Sequence, residues 1–330
     1  MIDGFNRNIN YLRISITDRC NLRCRYCMPK EGVSAVGHED VLKYEEILRI
    51  VRVAVHLGIT KVRITGGEPL VRRGVVDFIT SLAEISSLTD ISLTTNGILL
   101  APFALPLFAA GIKRINISLD SLNEVKYSHI TRGGELKAVL RGIEAVHQAG
   151  YSPIKINTVV IKGVNDDEIL DFARLTLEKP FQIRFIELMP MGQAGLGSED
   201  QYISNDLILE RIDRIYPLEP SGDKKNNTDG PARMYRIAGG QGEIGFISPL
   251  SHHFCESCNR LRLTADGHLR ACLLQEKDVA LRNALRNGCN NEELQFLVSS
   301  LIAIKPGQHE IRCDESHVKK CAKEMSAIGG

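Results

Sequence analysis

Six short runs rich in Ile, Val and Thr recur through the first 190 residues, and stretches with helical periodicity lie between them. The predicted strands cover residues 12–17, 61–65, 91–95, 114–120, 154–161 and 182–188. The predicted helices include residues 44–57, 75–85, 135–148 and 166–177. Gly58 and Gly150 follow two of these helices, where a helix C-cap is expected. This alternation predicts parallel strands joined by crossover helices.

Alternate residues of the predicted strands differ in polarity. In the first strand Leu12 and Ile14 share one face, and Arg13 and Ser15 share the other. A doubly wound sheet covered by helices on both faces would read as continuous apolar runs. We therefore predict an α/β fold, an incomplete (βα)6 TIM-like barrel with a polar lumen. An antiparallel sheet with one solvated face is the alternative.

The pattern changes after Met189. A glycine-rich segment covers residues 191–201, and a helix is predicted near residues 207–215. Two antiparallel hairpins are then predicted, over residues 234–247 and 260–272, because each pair of apolar runs flanks a Gly-rich or Asp-Gly turn. The chain after Asp278 reads as helical. We predict a barrel domain over residues 1–190 and a C-terminal antiparallel module over residues 191–330 that closes the open side of the barrel.

The composition narrows the class of function. Of 330 residues, 43% are hydrophobic, which excludes a disordered chain. A net charge of +1, the absence of Trp and 5% aromatic residues argue against a nucleic-acid partner. No apolar run approaches the roughly 20 residues that cross a membrane, and the first residues lack the pattern of a secretion signal. We expect a cytoplasmic protein with no membrane partner.

A group of three cysteines follows the first predicted strand, with the spacing C-x3-C-x2-C: Cys20, Cys24 and Cys27. The loop after a barrel strand is the place where active sites are built. Structural zinc sites and saturated iron–sulfur clusters take four ligands. This group is one ligand short, and an open position of that kind marks a catalytic metal site.

A second group again supplies three cysteines: Cys255, Cys258 and Cys272. On spacing alone, a structural zinc site is at least as well supported as an iron–sulfur centre. Its fourth ligand would come from one of three histidines: His252, His253 or His268. A disulfide is the least favoured interpretation in the cytosol. The remaining cysteines read as ordinary apolar or surface residues: Cys289, Cys313 and Cys321.

Six basic residues share the polar side of the predicted strands: Arg13, Lys61, Arg63, Lys155, Arg260 and Arg262. Cations that face a common cavity are costly to hold together without an anionic ligand. Guanidinium groups suit phosphate oxygens, so a nucleoside triphosphate is a fitting ligand. For any single residue, the alternative is a solvent-facing side chain.

The first cysteine group, with Tyr26 before its last cysteine, resembles the signature of the radical S-adenosylmethionine enzymes. In that family the three cysteines hold a [4Fe–4S] cluster, and S-adenosylmethionine chelates the open iron. The segment from Gly66 to Pro69, GGEP, resembles the family's methionine-binding segment. An ordinary turn from strand to helix is the alternative for this segment.

The segment CESCNRLRLTADG, from Cys255 to Gly267, is similar to the C-terminal motif of the GTP 3′,8-cyclases of molybdenum cofactor biosynthesis. This resemblance covers nearly the whole chain, from Leu12 to the terminal Gly-Gly. It implies a second [4Fe–4S] cluster whose free iron meets GTP. It also implies that a 5′-deoxyadenosyl radical removes the C3′ hydrogen of GTP, and that C3′ then attacks C8 to give 3′,8-cyclo-7,8-dihydro-GTP. His268 and Ala271 depart from the family's more usual Lys and Pro.

The resemblance also assigns residues and partners. The cluster ligands would be Cys20, Cys24, Cys27, Cys255, Cys258 and Cys272. S-adenosylmethionine would contact Tyr26, Gly67, Ser118 and Met189. GTP would contact Arg13, Arg63, Thr94, Lys155, Asn259, Arg260, Leu261 and Arg262. A catalytic tail would end in Gly329 and Gly330. The expected partners are an external electron donor, a downstream cyclic pyranopterin monophosphate synthase and a second copy of the chain in a homodimer.

Two other classes of protein fit the pattern less well. An iron–sulfur electron carrier should supply four thiolates for each cluster. A zinc-stabilised nucleic-acid module should carry a basic net charge. Within the enzyme class, a related radical enzyme acting on a peptide or RNA is the alternative, and it would not need the arginines around the second cysteine group.

Overall fold

The computed structural model describes residues 1–191, 199–221, 230–309 and 325–328. Six parallel strands occur where they were predicted, with bounds that differ by at most two residues. They are β1 (Tyr11–Ser15), β2 (Lys61–Thr65), β3 (Asp90–Thr95), β4 (Arg114–Ser118), β5 (Ile154–Val160) and β6 (Phe181–Glu187). Each pairs in parallel with its sequence neighbour, from β1–β2 through β5–β6.

Six helices cross between or follow these strands. They are α1 (Tyr44–His56), α2 (Val75–Ala83), α3 (Leu100–Ala109), α4 (Glu124–Thr131), α5 (Leu136–Gln148) and α6 (Ile169–Glu178). The predicted helix over residues 166–177 begins as one 3-10 turn, Asp166–Glu168, before α6. The first turn of α1 carries Glu45 and Glu46, whose charges suit a helix N-terminus.

The described residues of the C-terminal half add four helices and six strands. The helices are α7 (Asn205–Asp213), α8 (Leu281–Arg286), α9 (Asn291–Ala303) and α10 (Met325–Ile328). The strands are β7 (Leu218–Pro220), β8 (Arg233–Ile237), β9 (Glu243–Ile247), β10 (Arg260–Leu263), β11 (His268–Arg270) and β12 (Asp278–Ala280). Both predicted hairpins are present, as β8–β9 and β10–β11. Within the described ranges, no helix is long and apolar enough to cross a membrane.

The twelve strands form one sheet in the order β12-β11-β10-β1-β2-β3-β4-β5-β6-β9-β8-β7. The C-terminal strands extend both edges of the parallel sheet, because β10 pairs in parallel with β1 and β9 pairs in parallel with β6. The two terminal strands, β7 and β12, are not neighbours in this order. The predicted α/β fold with an incomplete barrel is therefore confirmed.

The two faces of the sheet carry different residues, as the alternation predicted. Leu12, Ile14 and Ile64 are at most 1% exposed and belong to the hydrophobic core. Arg13 and Arg63, which alternate with them, line a chamber on the other face. Burial of the apolar set stabilises the sheet, at roughly 1.5–3 kcal/mol for each side chain, and it leaves the polar set pointing into the chamber.

Candidate active site

A chamber of about 330 Å³ lies on the polar face of the sheet. Both cysteine groups contribute to its lining, which includes Cys20, Cys24, Cys27, Cys255, Cys258 and Cys272. All six have free thiols and are partly buried. The two groups lie more than 220 residues apart in the chain. They reach one chamber because β10, which follows Cys258, pairs directly with β1, which precedes Cys20.

The first cysteine group lies in the loop after β1. The backbone N–H groups of Cys27 and Met28 both donate to the carbonyl oxygen of Cys24, so this part of the loop is a tight turn. The Cys20 sulfur accepts hydrogen bonds from the backbone N–H of Leu22 at 3.4 Å and from the Asn96 side chain at 3.8 Å. Burial and the neighbouring Cys27 thiol raise the pKa of Cys24 well above its usual value.

The second cysteine group contains one thiol, Cys258, with the opposite electrostatic environment. Cys255 begins a 3-10 turn, Cys258 follows it, and Cys272 comes shortly after β11. Burial acts to raise the pKa of the Cys258 thiol, but the cations Arg260 and Lys305 outweigh it and the pKa falls to about 6. Cys258 thus favours the thiolate, which is the form that binds metal, whereas burial raises the pKa of Cys255.

The side chains around the second group do not fit a mononuclear zinc site. In the described part of the chain, no three His, Cys, Asp or Glu side chains are grouped so that they could hold one metal ion. Tetrahedral zinc needs its sulfur ligands about 3.8 Å apart, given a Zn–S distance of about 2.3 Å. His252 lies 2.5 Å from Asp206, and His268 lies 2.8 Å from Asp278. Only His253, of the three candidate histidines, lines the chamber.

The Gly66-Gly67 pair packs directly against the loop that carries the first cysteine group. The Gly67 N–H donates to the Thr17 carbonyl at 2.7 Å. A Cβ atom on Gly67 would lie 2.3 Å from the carbonyl oxygen of Arg19, and one on Gly66 would lie 2.5 Å from that of Thr17. Only glycine permits this approach of two backbones. The glycines therefore serve a contact within the protein as well as forming the wall of the chamber.

Glu68 contacts the loops on both sides of its own: its backbone N–H donates to the Arg19 carbonyl at 2.8 Å, and its side chain reaches the loop after β3. Its buried carboxylate accepts hydrogen bonds from Leu70 N–H (3.0 Å), the Thr95 hydroxyl (2.8 Å) and Asn96 N–H (2.7 Å). Burial raises the pKa of Glu68 to about 7, and these hydrogen bonds limit the rise. Asn96 in turn donates to Cys20, so the carboxylate acts through Asn96 on the cysteine group.

All four predicted S-adenosylmethionine contacts line the chamber: Tyr26, Gly67, Ser118 and Met189. The Tyr26 hydroxyl donates to the Asp120 carboxylate at 2.7 Å. Burial raises the pKa of Asp120 to about 6. Asp120 also lines the chamber but was not predicted as a site residue. The signal was available, because Asp120 shares the strand parity of Ser118.

Most predicted GTP contacts line the same chamber: Arg13, Arg63, Thr94, Arg260 and Arg262. Lys155 is 6% exposed, and burial together with Arg184 and other cations lowers its pKa to about 6. The Asn259 side chain donates to Asn10 at 2.7 Å. Leu261 is fully buried in the core on the opposite face of the sheet. Any contact of Leu261 with a ligand in the chamber would therefore come from its backbone.

Two basic residues differ from the sequence expectation. Arg184 on β6 lines the chamber, although no role was predicted for it. Its position could have been read from the alternation of Gln182 and Arg184 with Ile183. Lys61 instead forms an ion pair with Asp90 at 3.1 Å, because these residues are opposed on β2 and β3.

Gly329 and Gly330 lie outside the described residues. The helix α10 just before them does reach the chamber, since Met325 is part of its lining. Ile328, the last described residue, is 1% exposed and packs in a small apolar cluster with Met191. The described part of the chain therefore reaches the chamber wall at Met325.

Comparison with known proteins gives concordant results. A model of the radical SAM superfamily matches residues 14–176, and a model of the Molybdenum Cofactor Synthesis C family matches residues 181–311. The GTP 3′,8-cyclase of Moorella thermoacetica is 51% identical over 330 residues, covering all of both chains. The GTP 3′,8-cyclase of Alkaliphilus oremlandii is 49% identical over the same length, again covering all of both chains.

The fold is similar to that of a solved structure. Streptococcus suis SuiB, in a crystal structure with bound S-adenosylmethionine, aligns with a TM-score of 0.56 and 16% sequence identity. The alignment covers 84% of this chain and 64% of SuiB. At this identity the likeness concerns the fold alone.

Proposed function

The chain belongs to the GTP 3′,8-cyclases of the radical S-adenosylmethionine superfamily, and from this membership we propose how the chamber converts GTP to 3′,8-cyclo-7,8-dihydro-GTP. This reaction is the first step of molybdenum cofactor biosynthesis. One observation carries the proposal: two three-cysteine groups and five arginines line a single chamber. Such a chamber can hold two small molecules close together.

The cofactors of the enzyme are S-adenosylmethionine and [4Fe–4S] clusters. The donor set fits them, because each group offers three thiols and so leaves one position of a four-ligand centre for a small molecule. We assign one cluster to Cys20, Cys24 and Cys27, and a second to Cys255, Cys258 and Cys272. When bound, the cluster at the first cysteine group would supply the one-electron cleavage of S-adenosylmethionine that generates the radical acting at C3′ of GTP.

The loops after β1, β2 and β3 form the proposed S-adenosylmethionine site. Gly67 holds the second loop against the first, and the Glu68 carboxylate ties the third loop to the second. These contacts fix the site before the ligand arrives, which reduces the entropy lost on binding. We assign the remaining contacts to Tyr26, Ser118 and Met189, which face the same space.

The arginines form the proposed triphosphate site. Arg63, Arg13 and Arg262 occupy aligned positions on the adjacent strands β2, β1 and β10. Burial, reinforced by Arg260, lowers the pKa of Arg262 to about 10. Crowded, partly dehydrated cations of this kind are stabilised by an anion with several oxygens. A triphosphate supplies these oxygens.

The other predicted GTP contacts lie outside the set of three aligned arginines. Thr94 lines the chamber directly, and Arg184 adds a cation from β6. Lys155 is buried, and the charges of Arg184 and Arg63 act on its ammonium group. We assign Asn259 and Leu261 to backbone contacts, because the side chain of Asn259 is bonded to Asn10 and that of Leu261 lies in the core.

The C-terminal tail and the domain boundary complete the proposal. Because Met325 lines the chamber, we propose that Gly329 and Gly330 enter it. We place the boundary between a barrel domain and a C-terminal module near residue 190. The two family models support a division in this region, since one ends at residue 176 and the other begins at residue 181.

Two of the proposed partners follow from the reaction. S-adenosylmethionine cleavage consumes one electron, so an external electron donor is needed. The cyclic nucleotide is an intermediate, so a downstream cyclic pyranopterin monophosphate synthase would consume it. We also propose a homodimer and a location in the cytoplasm, where GTP is available and thiols stay reduced.

The test is anaerobic purification followed by iron and sulfide analysis and then by turnover. We expect about eight irons for each chain, four at each cysteine group. With S-adenosylmethionine and reductant, GTP should give a product of unchanged mass with a new C3′–C8 bond, and ATP should not. Tightly bound zinc at either group, or equal turnover of GTP and ATP, would contradict the proposal.

A further inference from the structure

Lys305, which follows α9, is a buried lysine outside the set of predicted substrate contacts. Its side chain is 2% exposed. Its ammonium nitrogen lies 3.7 Å from the Cys258 sulfur, donates to the carbonyl oxygen of Arg260 at 2.9 Å, and also donates to that of Ala271. Arg260 lies two residues after Cys258, and Ala271 immediately precedes Cys272. The ammonium group thus bridges the two segments that carry these cysteines.

The residues after Lys305 extend this contact to the third cysteine. The backbone N–H of His309 donates to the Cys255 sulfur. The Arg7 guanidinium donates to the carbonyl oxygens of Cys255 (2.8 Å) and Pro306 (2.7 Å), which ties the segment after α9 to the cysteine loop. The short segment from Lys305 to His309 therefore supports the whole second cysteine group.

The polar groups near the sulfur atoms of the first cysteine group differ from those at the second. The hydrogen-bond donors to the Cys20 sulfur are the neutral Leu22 N–H and Asn96 amide. The Asp120 carboxylate lies close enough to Cys24 to disfavour negative charge there. An ammonium donor to sulfur is thus found at the second group, and a carboxylate lies near the first.

We propose that Lys305 is a positioning residue for the iron–sulfur centre at the second cysteine group, where it holds the Cys258 and Cys272 segments together and raises the reduction potential of that centre. The inference rests on the proposed function, because it requires a cluster at this group. Reduction adds one negative charge to the centre, and a nearby cation and a hydrogen bond to sulfur both stabilise that charge. The electron comes from the external reductant, and no bond in the protein changes.

The test compares full-length, anaerobically reconstituted Lys305→Met and Lys305→Gln with wild type. The charge is lost in both variants, but a hydrogen-bond donor is kept in Lys305→Gln. A potentiometric titration with dithionite, followed by electron paramagnetic resonance, measures each centre. The second centre is the one whose signal changes when GTP is added. Lys113→Met is the matched control, because Lys113 is exposed and its ammonium group donates to the Phe108 carbonyl and lies over the Phe108 ring, in the helix α3.

We expect the GTP-responsive signal to shift to lower potential in both variants, with the larger shift in Lys305→Met. The N-terminal signal should stay unchanged, and Lys113→Met should match wild type. If Lys305→Met loses iron from the second group and keeps it at the first, this supports the positioning role. The reduction potential of the second centre is then measured in Lys305→Gln.

Full iron content and a wild-type potential in both variants would overturn the role of Lys305 while leaving the proposed function intact. A wild-type protein without any GTP-responsive signal would instead overturn the proposed function, and this inference with it.

Discussion

Arg13 on β1 and Arg262 on β10 occupy directly opposed positions on neighbouring parallel strands. Burial, together with the charge of Arg262, holds the pKa of Arg13 well below its usual range. One arginine comes from each half of the chain. The proposed anion site is therefore complete only when the C-terminal strand β10 has joined the barrel strand β1, and it is electrostatically strained until an anion binds.

Replacing Arg262 should separate substrate binding from cofactor chemistry. We expect Arg262→Met to raise the GTP dissociation constant by about tenfold or more, because a hydrogen bond to a charged group is worth about 1.5–3 kcal/mol. Arg260→Ala should act in the same direction. Reductive cleavage of S-adenosylmethionine should continue in both variants. Calorimetry and methionine release measure the two properties, and equal loss of both would contradict a substrate role.

The same substitution should stabilise the protein without nucleotide. Removing one of several crowded, buried cations relieves repulsion, so the thermal midpoint of Arg262→Met without GTP should exceed that of wild type. The increase in midpoint on adding GTP should shrink. Arg141→Met is the control, because Arg141 is exposed and pairs with Glu135. If Arg262→Met has a lower midpoint than wild type without GTP, and Arg141→Met does not, then Arg262 stabilises the fold without an anion.

Gly67→Ala should damage the first cysteine loop. The added Cβ would meet the Arg19 carbonyl oxygen at 2.3 Å, so one of the two backbones has to move. We expect loss of S-adenosylmethionine cleavage and reduced iron at the first group, with the GTP-responsive signal of the second group retained. Gly4→Ala is the control, because its Cβ would make an ordinary 3.7 Å contact. Normal cleavage by Gly67→Ala would show that the loop tolerates the displacement.

Glu68 should make stability depend on pH. Burial raises its pKa in the folded protein from the ordinary value of 4.5 to about 7. The folded state therefore holds the proton more tightly than the unfolded chain does. The resulting stabilisation is fully present below about pH 4.5 and is lost as the pH rises through about 7. Glu68→Gln lacks this titration. The thermal midpoint of wild type, measured relative to that of Glu68→Gln, should therefore decrease as the pH is raised from 5 to 8. A constant difference would mean that Glu68 stays ionised throughout.

Cys272→Ala should remove one centre selectively. We expect about four irons for each chain instead of about eight, with S-adenosylmethionine cleavage retained and the cyclic nucleotide product lost. Cys289→Ala is the control, because Cys289 lies on the far side of the sheet against the core formed by the helices. Loss of all iron from Cys272→Ala would indicate that the two cysteine groups do not assemble independently.

The residue pattern by itself determined much of this molecule. The six parallel strands, the polar lumen and the two three-cysteine groups follow from local spacing, because alternation along a strand assigns each side chain to a face without reference to the rest of the chain. The tertiary structure alone decided that β10 pairs with β1 and β9 with β6, that Lys61 pairs with Asp90, and that Lys305 reaches the second cysteine group. These features depend on contacts between residues far apart in the chain, and the free energy of such contacts depends on burial and neighbouring charge, which no local pattern encodes.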